Sequence, residues 1–216
     1  MKKELGYFLI GGKYGGDQNS IPDRMVQFAG CAAITACDSC IWFDLYRGTN
    51  LYPFDKNSLS ERDYLRYSSK MMRQYFRPGL RGVDTLDMYI RDFKKYEGLR
   101  GGNPMLLTPF PGEKTLDEAE KAVRRQIDGG YPIPYLLLRH KAKDLDDFEW
   151  HWFLLTGYEQ KEDSFQVKAV SFGKWYWMDF EHLWNTGFQE KGGMILFQEK
   201  EEAHEGQLKE GNTIAV

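Results

Sequence analysis

Cysteine is scarce in this chain, and the three cysteines, Cys31, Cys37 and Cys40, lie close together. So tight a group does not form the disulfide framework of a small secreted domain, and a reducing, cytoplasmic setting is expected. Excess positive charge is also missing, because 29 basic residues face 32 acidic ones and the formal net charge is −3. A general nucleic-acid binder is usually clearly basic, so nucleic acid is not an expected partner.

Long apolar runs are absent as well, so no segment is expected to span a membrane. The start Met1–Glu4 is not followed by the apolar stretch of a secretory leader before Gly11. Aromatic residues, by contrast, are plentiful, with 6 Trp, 13 Tyr and 14 Phe. At 216 residues the chain is long enough to bury a core without disulfides or metals.

The sequence predicts one domain over residues 1–198 and a polar, disordered tail over residues 199–216. Helices are expected over about residues 30–130, including one from about Cys31 to Tyr46, where Ile34, Cys37 and Ile41 recur at helical spacing. Strands dominate about residues 131–198, where short aromatic and branched runs alternate with turn residues. Helices followed by strands indicate an α+β fold in which the cysteine helix packs on an antiparallel sheet.

The predicted cysteine helix begins with Cys31, directly after Gly30. Unpaired N–H groups and the helix dipole at that end favour negative charge, so a thiolate nucleophile is expected there. The backbone N–H of Cys31 would also point to the place where an oxyanion could form. The alternative is a small buried cysteine that fills a gap between helix and sheet, which is the commoner role of a free cysteine.

Cys37 and Cys40 form a C-x-x-C pair inside the same helix. A metal site would need a second pair of ligands, and the sequence contains no second cysteine pair. The two side chains are therefore interpreted as buried and apolar, and no metal or other cofactor is expected.

His151 begins a predicted strand and is the best candidate for a general base. It would take the proton of the thiol and later return it to the leaving group. His140, at the end of the preceding strand, is the rival base, and a histidine that only caps a strand is the non-functional interpretation. Residues 142–163 hold 7 acidic and 2 basic residues. If those charges lie near His151, they favour a charged imidazole and an ion pair with the thiolate.

Two further side chains could complete the site. Gln18, in a glycine-rich loop, could donate to an oxyanion together with the Cys31 N–H. Ser171 is expected opposite His151 in an antiparallel pair and could orient the imidazole, although it supplies no charge. Asp179 is a more distant alternative for that role.

These residues together resemble a known family. Gly30-Cys31-Ala32-Ala33 at a helix start and the strand His151–Tyr158, with the sequence HWFLLTGY, are similar to the papain-like cysteine peptidases. The closest resemblance is to the bacteriocin-processing (double-glycine leader) branch and its uncharacterised bacterial relatives, which the run Gly15–Gln18 also resembles. The resemblance covers residues 5–46 and 131–198. It implies a papain-like fold and a thioester mechanism with Cys31 as nucleophile and His151 as base.

The chain departs from that family at three positions. Ala32 stands where the family commonly has glycine, and Ser171 stands near the place of its asparagine or aspartate. The family's oxyanion glutamine lies only a few residues before the cysteine, so Gln27, which is nearer to Cys31 than Gln18, is a rival for that role. The missing carboxamide or carboxylate predicts weaker catalysis.

The expected function is therefore hydrolysis of a peptide or another amide by a Cys-His pair. One alternative is a weak or inactive peptidase-like protein that binds an extended peptide in a cleft lined by aromatic side chains, for which the candidates are Trp150, Trp152, Trp175 and Trp177. A further alternative is acyl transfer by the same cysteine. The sequence contains no signal of the oligomeric state.

Overall fold

The computed structural model describes residues 1–101 and 105–199, so residues 200–216 of the predicted tail lie outside it. The helices of the described chain are α1 (Arg24–Ala29), α2 (Cys31–Tyr46), α3 (Glu61–Gln74), α4 (Leu86–Arg100), α5 (Leu116–Asp128) and α6 (Phe180–Trp184). Its strands are β1 (Lys2–Glu4), β2 (Leu9–Ile10), β3 (Lys13–Tyr14), β4 (Met105–Pro111), β5 (Ile133–Leu137), β6 (His151–Gln160), β7 (Phe165–Ser171), β8 (Lys174–Asp179) and β9 (Gly192–Glu199). Glu199, assigned to the tail from the sequence, thus ends the last strand.

Seven strands form one sheet in the spatial order β4-β9-β5-β6-β7-β8, with β1 also paired to β6. Every pairing in this sheet is antiparallel. Strands β2 and β3 form a separate hairpin. The predicted α+β class with an antiparallel sheet is confirmed. No helix within residues 1–101 or 105–199 is long and apolar enough to cross a bilayer.

The sheet separates two hydrophobic cores, because successive side chains of a strand point to opposite faces. On one face Leu136, Trp152 and Phe197 pack with α2, α3 and α4. On the other face Tyr135 and Phe153 pack with α5 and α6. The result is three layers, with the sheet between two groups of helices.

Helix α2 lies at the centre of the molecule, and every residue from Ala32 to Asp44 is buried. Alanines and cysteines leave room for β6 on one side and α3 on another. The helix spans Cys31–Tyr46, as the spacing predicts. It therefore holds its first residue at the junction of helices and sheet.

Three parts of the fold differ from the expectation. Strand β4 interrupts the predicted helical region and joins the edge of the sheet; Pro109 and Pro111 within it obscure the strand pattern. The sequence predicts a helix from Thr85 that Gly98 ends, but helix α4 continues to Arg100, and the residue that ends it, with a positive φ of 69°, is Gly101. No local pattern predicts strand β1, which is held in place by its pairing with β6.

Candidate active site

A small cavity lies between the start of α2, the start of β6 and the end of β7. All four predicted site residues, Gln18, Cys31, His151 and Ser171, line it. Its volume of about 10 Å³ matches a single water molecule. Residues that are distant in the chain thus meet at one point, close to where α2 packs on the sheet.

Cys31 is the first residue of α2 and is half-buried. A side chain on Gly30 would collide with the Val26 carbonyl, so glycine is what allows α1 to run directly into α2. Burial raises the pKa of the Cys31 thiol, and the nearby backbone N–H groups of Trp152 and Ala32 only partly oppose this effect. The resting form at neutral pH is therefore the thiol rather than the expected thiolate, because desolvation outweighs the field of the helix end.

His151 begins β6 and is only 7% exposed. Its Nε2 lies 2.7 Å from the Ser171 Oγ. Its ring stacks on Phe172, with 4.5 Å between centroids and 11° between planes. Burial lowers the pKa of His151 to about 4, so the imidazole is neutral at physiological pH.

The acidic residues of the segment 142–163 do not charge this imidazole. Glu149 accepts a hydrogen bond from the backbone N–H of His140, and Asp144 lies 3.1 Å from His182. Burial alone accounts for the lowered pKa of His151. The condition for a thiolate–imidazolium pair is therefore not met, and the raised pKa of the Cys31 thiol with the lowered pKa of His151 favours a neutral thiol and a neutral imidazole in the resting site.

This lowered pKa predicts how stability depends on pH. An unfolded histidine takes up a proton near pH 6.5, whereas folded His151 does so only near pH 4. Its contribution to stability is thus complete above pH 6.5 and is lost as the pH falls toward 4. The stability difference between wild type and His151→Gln should change by about 3 kcal/mol over that range. Urea unfolding at several pH values checks this, and a pH-independent difference would contradict it.

Gln18, and not its rival Gln27, is the glutamine at the cavity. Its Nε2 donates to the Gln27 carbonyl at 2.7 Å, and its buried Oε1 has no partner within the described chain. An amide nitrogen carries two hydrogens, so one remains for a further acceptor. The Gln27 side chain instead donates to the Ile21 carbonyl at 2.8 Å, which ties the loop together.

The other rival residues are engaged elsewhere. His140 Nε2 lies 2.9 Å from the carbonyl oxygen of His182, and its Nδ1 accepts from the Ala142 N–H. Asp179 caps α6 and accepts from Gln166 at 3.0 Å. Neither residue lines the cavity.

Two backbone conformations next to the site are strained. Trp150, with φ of 54°, directly precedes His151, and Phe172, with φ of 52°, directly follows Ser171. Within residues 1–101 and 105–199 these are the only residues other than glycine with positive φ. Such conformations are unfavourable for bulky side chains and persist where the surroundings enforce them, often at functional sites.

A larger apolar groove of about 410 Å³ lies beside the small cavity, and Cys31 lines both. Phe28, Leu80 and Trp150 contribute exposed side chains to this groove, and Phe28 is 94% exposed. The thiol thus lies between a polar cavity, which holds the candidate base, and an apolar surface open to solvent.

The four tryptophans considered for a peptide cleft do not share one surface. Trp152 is buried in the core and its indole N–H donates to the Val83 carbonyl at 2.6 Å. Trp175 and Trp177 lie on β8, where lysine ammonium groups sit over their rings. Only Trp150 of the four lines the groove beside Cys31. The predicted aromatic cluster is therefore wrong, although an apolar groove exists.

Cys37 and Cys40 are fully buried, as predicted, and burial raises the pKa of both thiols. The described residues contain no group of three or more His, Cys, Asp or Glu side chains arranged to hold a metal ion.

Asp38 also lines the small cavity, and sequence reasoning missed it. It lies about two helical turns after Cys31, on the same side of α2. The available signal is a carboxylate that follows the small and apolar residues of the first two turns of this helix.

No protein-family model, curated protein or solved structure matches this chain. The chemistry of the site is accordingly inferred from its own residues.

Proposed function

We propose that this protein is a cysteine hydrolase that cleaves a peptide or another amide through a thioester. The observation that carries the proposal is the single cavity shared by Cys31, His151, Ser171 and Gln18. A cysteine at the start of a central helix, packed on a strand that begins with a histidine, also supports a papain-like arrangement of the fold.

The chemistry starts from a neutral pair. The short contact to Ser171 suits an imidazole with its proton on Nε2, donated to the hydroxyl, which leaves the lone pair of Nδ1 as the base. His151 takes the thiol proton as the Cys31 sulfur bonds to the carbonyl carbon. When the carbon–nitrogen bond breaks, the imidazolium gives that proton to the departing amine. Water then hydrolyses the thioester with His151 again as base.

The oxyanion formed by this attack needs hydrogen-bond donors. The backbone N–H of Cys31 is at the free end of α2, and the remaining N–H of Gln18 Nε2 borders the same cavity. Preorganised donors of this kind stabilise the transition state more than the substrate. Ser171 orients His151 without adding charge, so the imidazolium gains less support than beside a carboxylate.

The substrate end of the site is the apolar groove next to Cys31. Phe28, Leu80 and Leu138 favour a substrate with an apolar side chain near the scissile carbonyl. The strained backbone of Trp150 and Phe172 supports a functional rather than a purely packing role for this region.

Iodoacetamide at neutral pH should label Cys31 and spare Cys37 and Cys40, which are fully buried. Labelling faster than that of free cysteine is expected despite the raised pKa of the Cys31 thiol, because His151 accepts the proton. Mass spectrometry of peptides after a brief exposure gives the site and the rate. The Cys31→Ala variant should take up no label when folded, whereas all three cysteines of the urea-unfolded wild type should react.

The same sample tests acylation. A p-nitrophenyl ester of N-acetylphenylalanine should release nitrophenolate and leave a transient acyl group on Cys31. A Cys31 thiol that reacts no faster than free cysteine and forms no acyl adduct would overturn the proposal.

A second candidate function is peptide binding without cleavage. The size and exposure of the apolar groove favour it, and so does the fact that, among the described residues, burial alone and no charged group shifts the pKa of His151. Acyl transfer to an acceptor other than water would use the same thioester.

All three cysteines are free, which supports our proposal of a reducing cytoplasmic compartment.

A further inference from the structure

Asp38 is a buried carboxylate that the proposed reaction does not use. It is 3% exposed, and within the described chain no cation lies in ion-pair range of it. Its acceptor oxygens are occupied by neutral donors: the hydroxyl of Tyr64 at 2.7 Å, the hydroxyl of Tyr7 at 3.0 Å and the backbone N–H of Gly16 at 3.0 Å. Burial of a carboxylate without a cation costs more free energy than burial of an apolar side chain. The hydrogen bonds of Asp38 therefore indicate a role other than filling the core.

The reason lies in the segment that Asp38 holds. Gly16 donates its N–H to Asp38 and accepts at its carbonyl from the N–H of Gly173, at 3.2 Å. Any side chain on Gly16 would collide with the Tyr64 hydroxyl. Gly16 is thus clamped between α2 and the turn that links β7 to β8, next to Phe172.

This clamp sets the position of Gln18, which follows Gly16 by two residues and borders the same cavity as Asp38 and Cys31. Because Cys31 and Asp38 belong to one rigid helix, a loop attached to Asp38 keeps a fixed distance to the thiol. The hydrogen bond from Gln18 to the Gln27 carbonyl holds the side chain from its other end.

We propose that Asp38 is a positioning residue, which anchors the Gly16–Gln18 segment to α2 so that the Gln18 amide meets the oxyanion formed at Cys31. The inference rests on the proposed hydrolase function. It requires that Asp38 act through Gln18, and a double-mutant cycle tests that requirement.

The cycle uses wild type, Asp38→Asn, Gln18→Ala and the double variant, with the p-nitrophenyl ester as substrate. Gln18→Ala should lower kcat by about a hundredfold with little change in KM. Asp38→Asn should lower kcat by about tenfold or more, but by less than about threefold in the Gln18→Ala background. Alkylation of Cys31 by iodoacetamide forms no oxyanion, so Asp38→Asn should leave its rate unchanged.

Asp44→Asn is the matched control. Asp44 is a second buried carboxylate of α2, and it does not line the cavity. It accepts hydrogen bonds from the backbone N–H groups of Leu51 and Tyr52, both at 2.7 Å. Its replacement should lower stability and leave kcat of the folded protein unchanged. If Asp38→Asn does not fold, Tyr64→Phe removes one of the partners of Asp38. This variant should show a smaller loss of kcat and, again, an unchanged rate of Cys31 alkylation.

The outcomes separate the two proposals. If wild type forms no acyl adduct on Cys31, the hydrolase proposal fails, and the role of Asp38 fails with it. If wild type reacts but the effects of Asp38→Asn and Gln18→Ala multiply independently, only the positioning role of Asp38 is overturned. An equal loss of kcat in Asp44→Asn would likewise reduce Asp38 to a general structural residue.

Discussion

Replacement of His151 by glutamine should lower kcat for the p-nitrophenyl ester by at least about a thousandfold. Glutamine has a similar size and can still bond to Ser171, but it cannot take the thiol proton. Since burial raises the pKa of the Cys31 thiol, few thiolates form without this base. Steady-state kinetics, with circular dichroism to confirm folding, measures the effect.

His140→Gln is the matched control, because His140 is as buried as His151 but its imidazole ring bonds only to backbone groups. It should lower stability without a comparable loss of rate. The loss of kcat in Ser171→Ala should lie between those of His151→Gln and His140→Gln, since this variant removes the orienting contact and keeps the base.

Retained peptide binding together with an unchanged ester rate in Cys31→Ala would favour the binding protein over the hydrolase.

The largest loss of stability is expected from Trp152→Ala, at about 3–5 kcal/mol. Trp152 is 1% exposed, stacks on Tyr89 with 4.5 Å between centroids, and donates to the Val83 carbonyl. Truncation leaves a cavity between the sheet and the helical layer and an unpaired carbonyl. The free energy of unfolding in urea gives the size of the loss.

Trp150→Ala provides the comparison, two residues earlier in the chain. Trp150 is 41% exposed, and its ring faces solvent and the Arg81 guanidinium. Its truncation should lower stability by about 1 kcal/mol or less. Equal losses for the two variants would mean that the two tryptophans are not divided between surface and core as described.

Local patterns in the sequence predicted most of the elements that build the site. Helix α2 and the strands that begin at His151 and end at Ser171 have short-range signals: small apolar residues at helical spacing, and aromatic runs bounded by turn residues. Strands β1 and β4 lack such signals. Their positions depend on pairing with strands that are distant in the chain, which no local pattern records.

Local patterns in the sequence could not predict the charge state of the site. The helix start at Cys31 and the acidic segment 142–163 both predicted charged groups. In the folded chain, burial governs the pKa values of Cys31 and His151, and the acidic side chains near them in sequence turn to other partners. Desolvation depends on the packing of the whole domain and therefore appears only with the fold.

The outer strand β4 has a consequence for self-association. It pairs only with β9 within the described sheet, and no other described strand covers its second side. Gly112 donates its N–H to Gly192, and alternate residues of a strand point their N–H groups the same way, so the positions of Pro109 and Pro111 face outward. Proline offers no N–H there, and an incoming strand finds two consecutive donors missing. Pairing of copies through this part of the strand, an early step toward fibrils, is therefore disfavoured by two pyrrolidine rings.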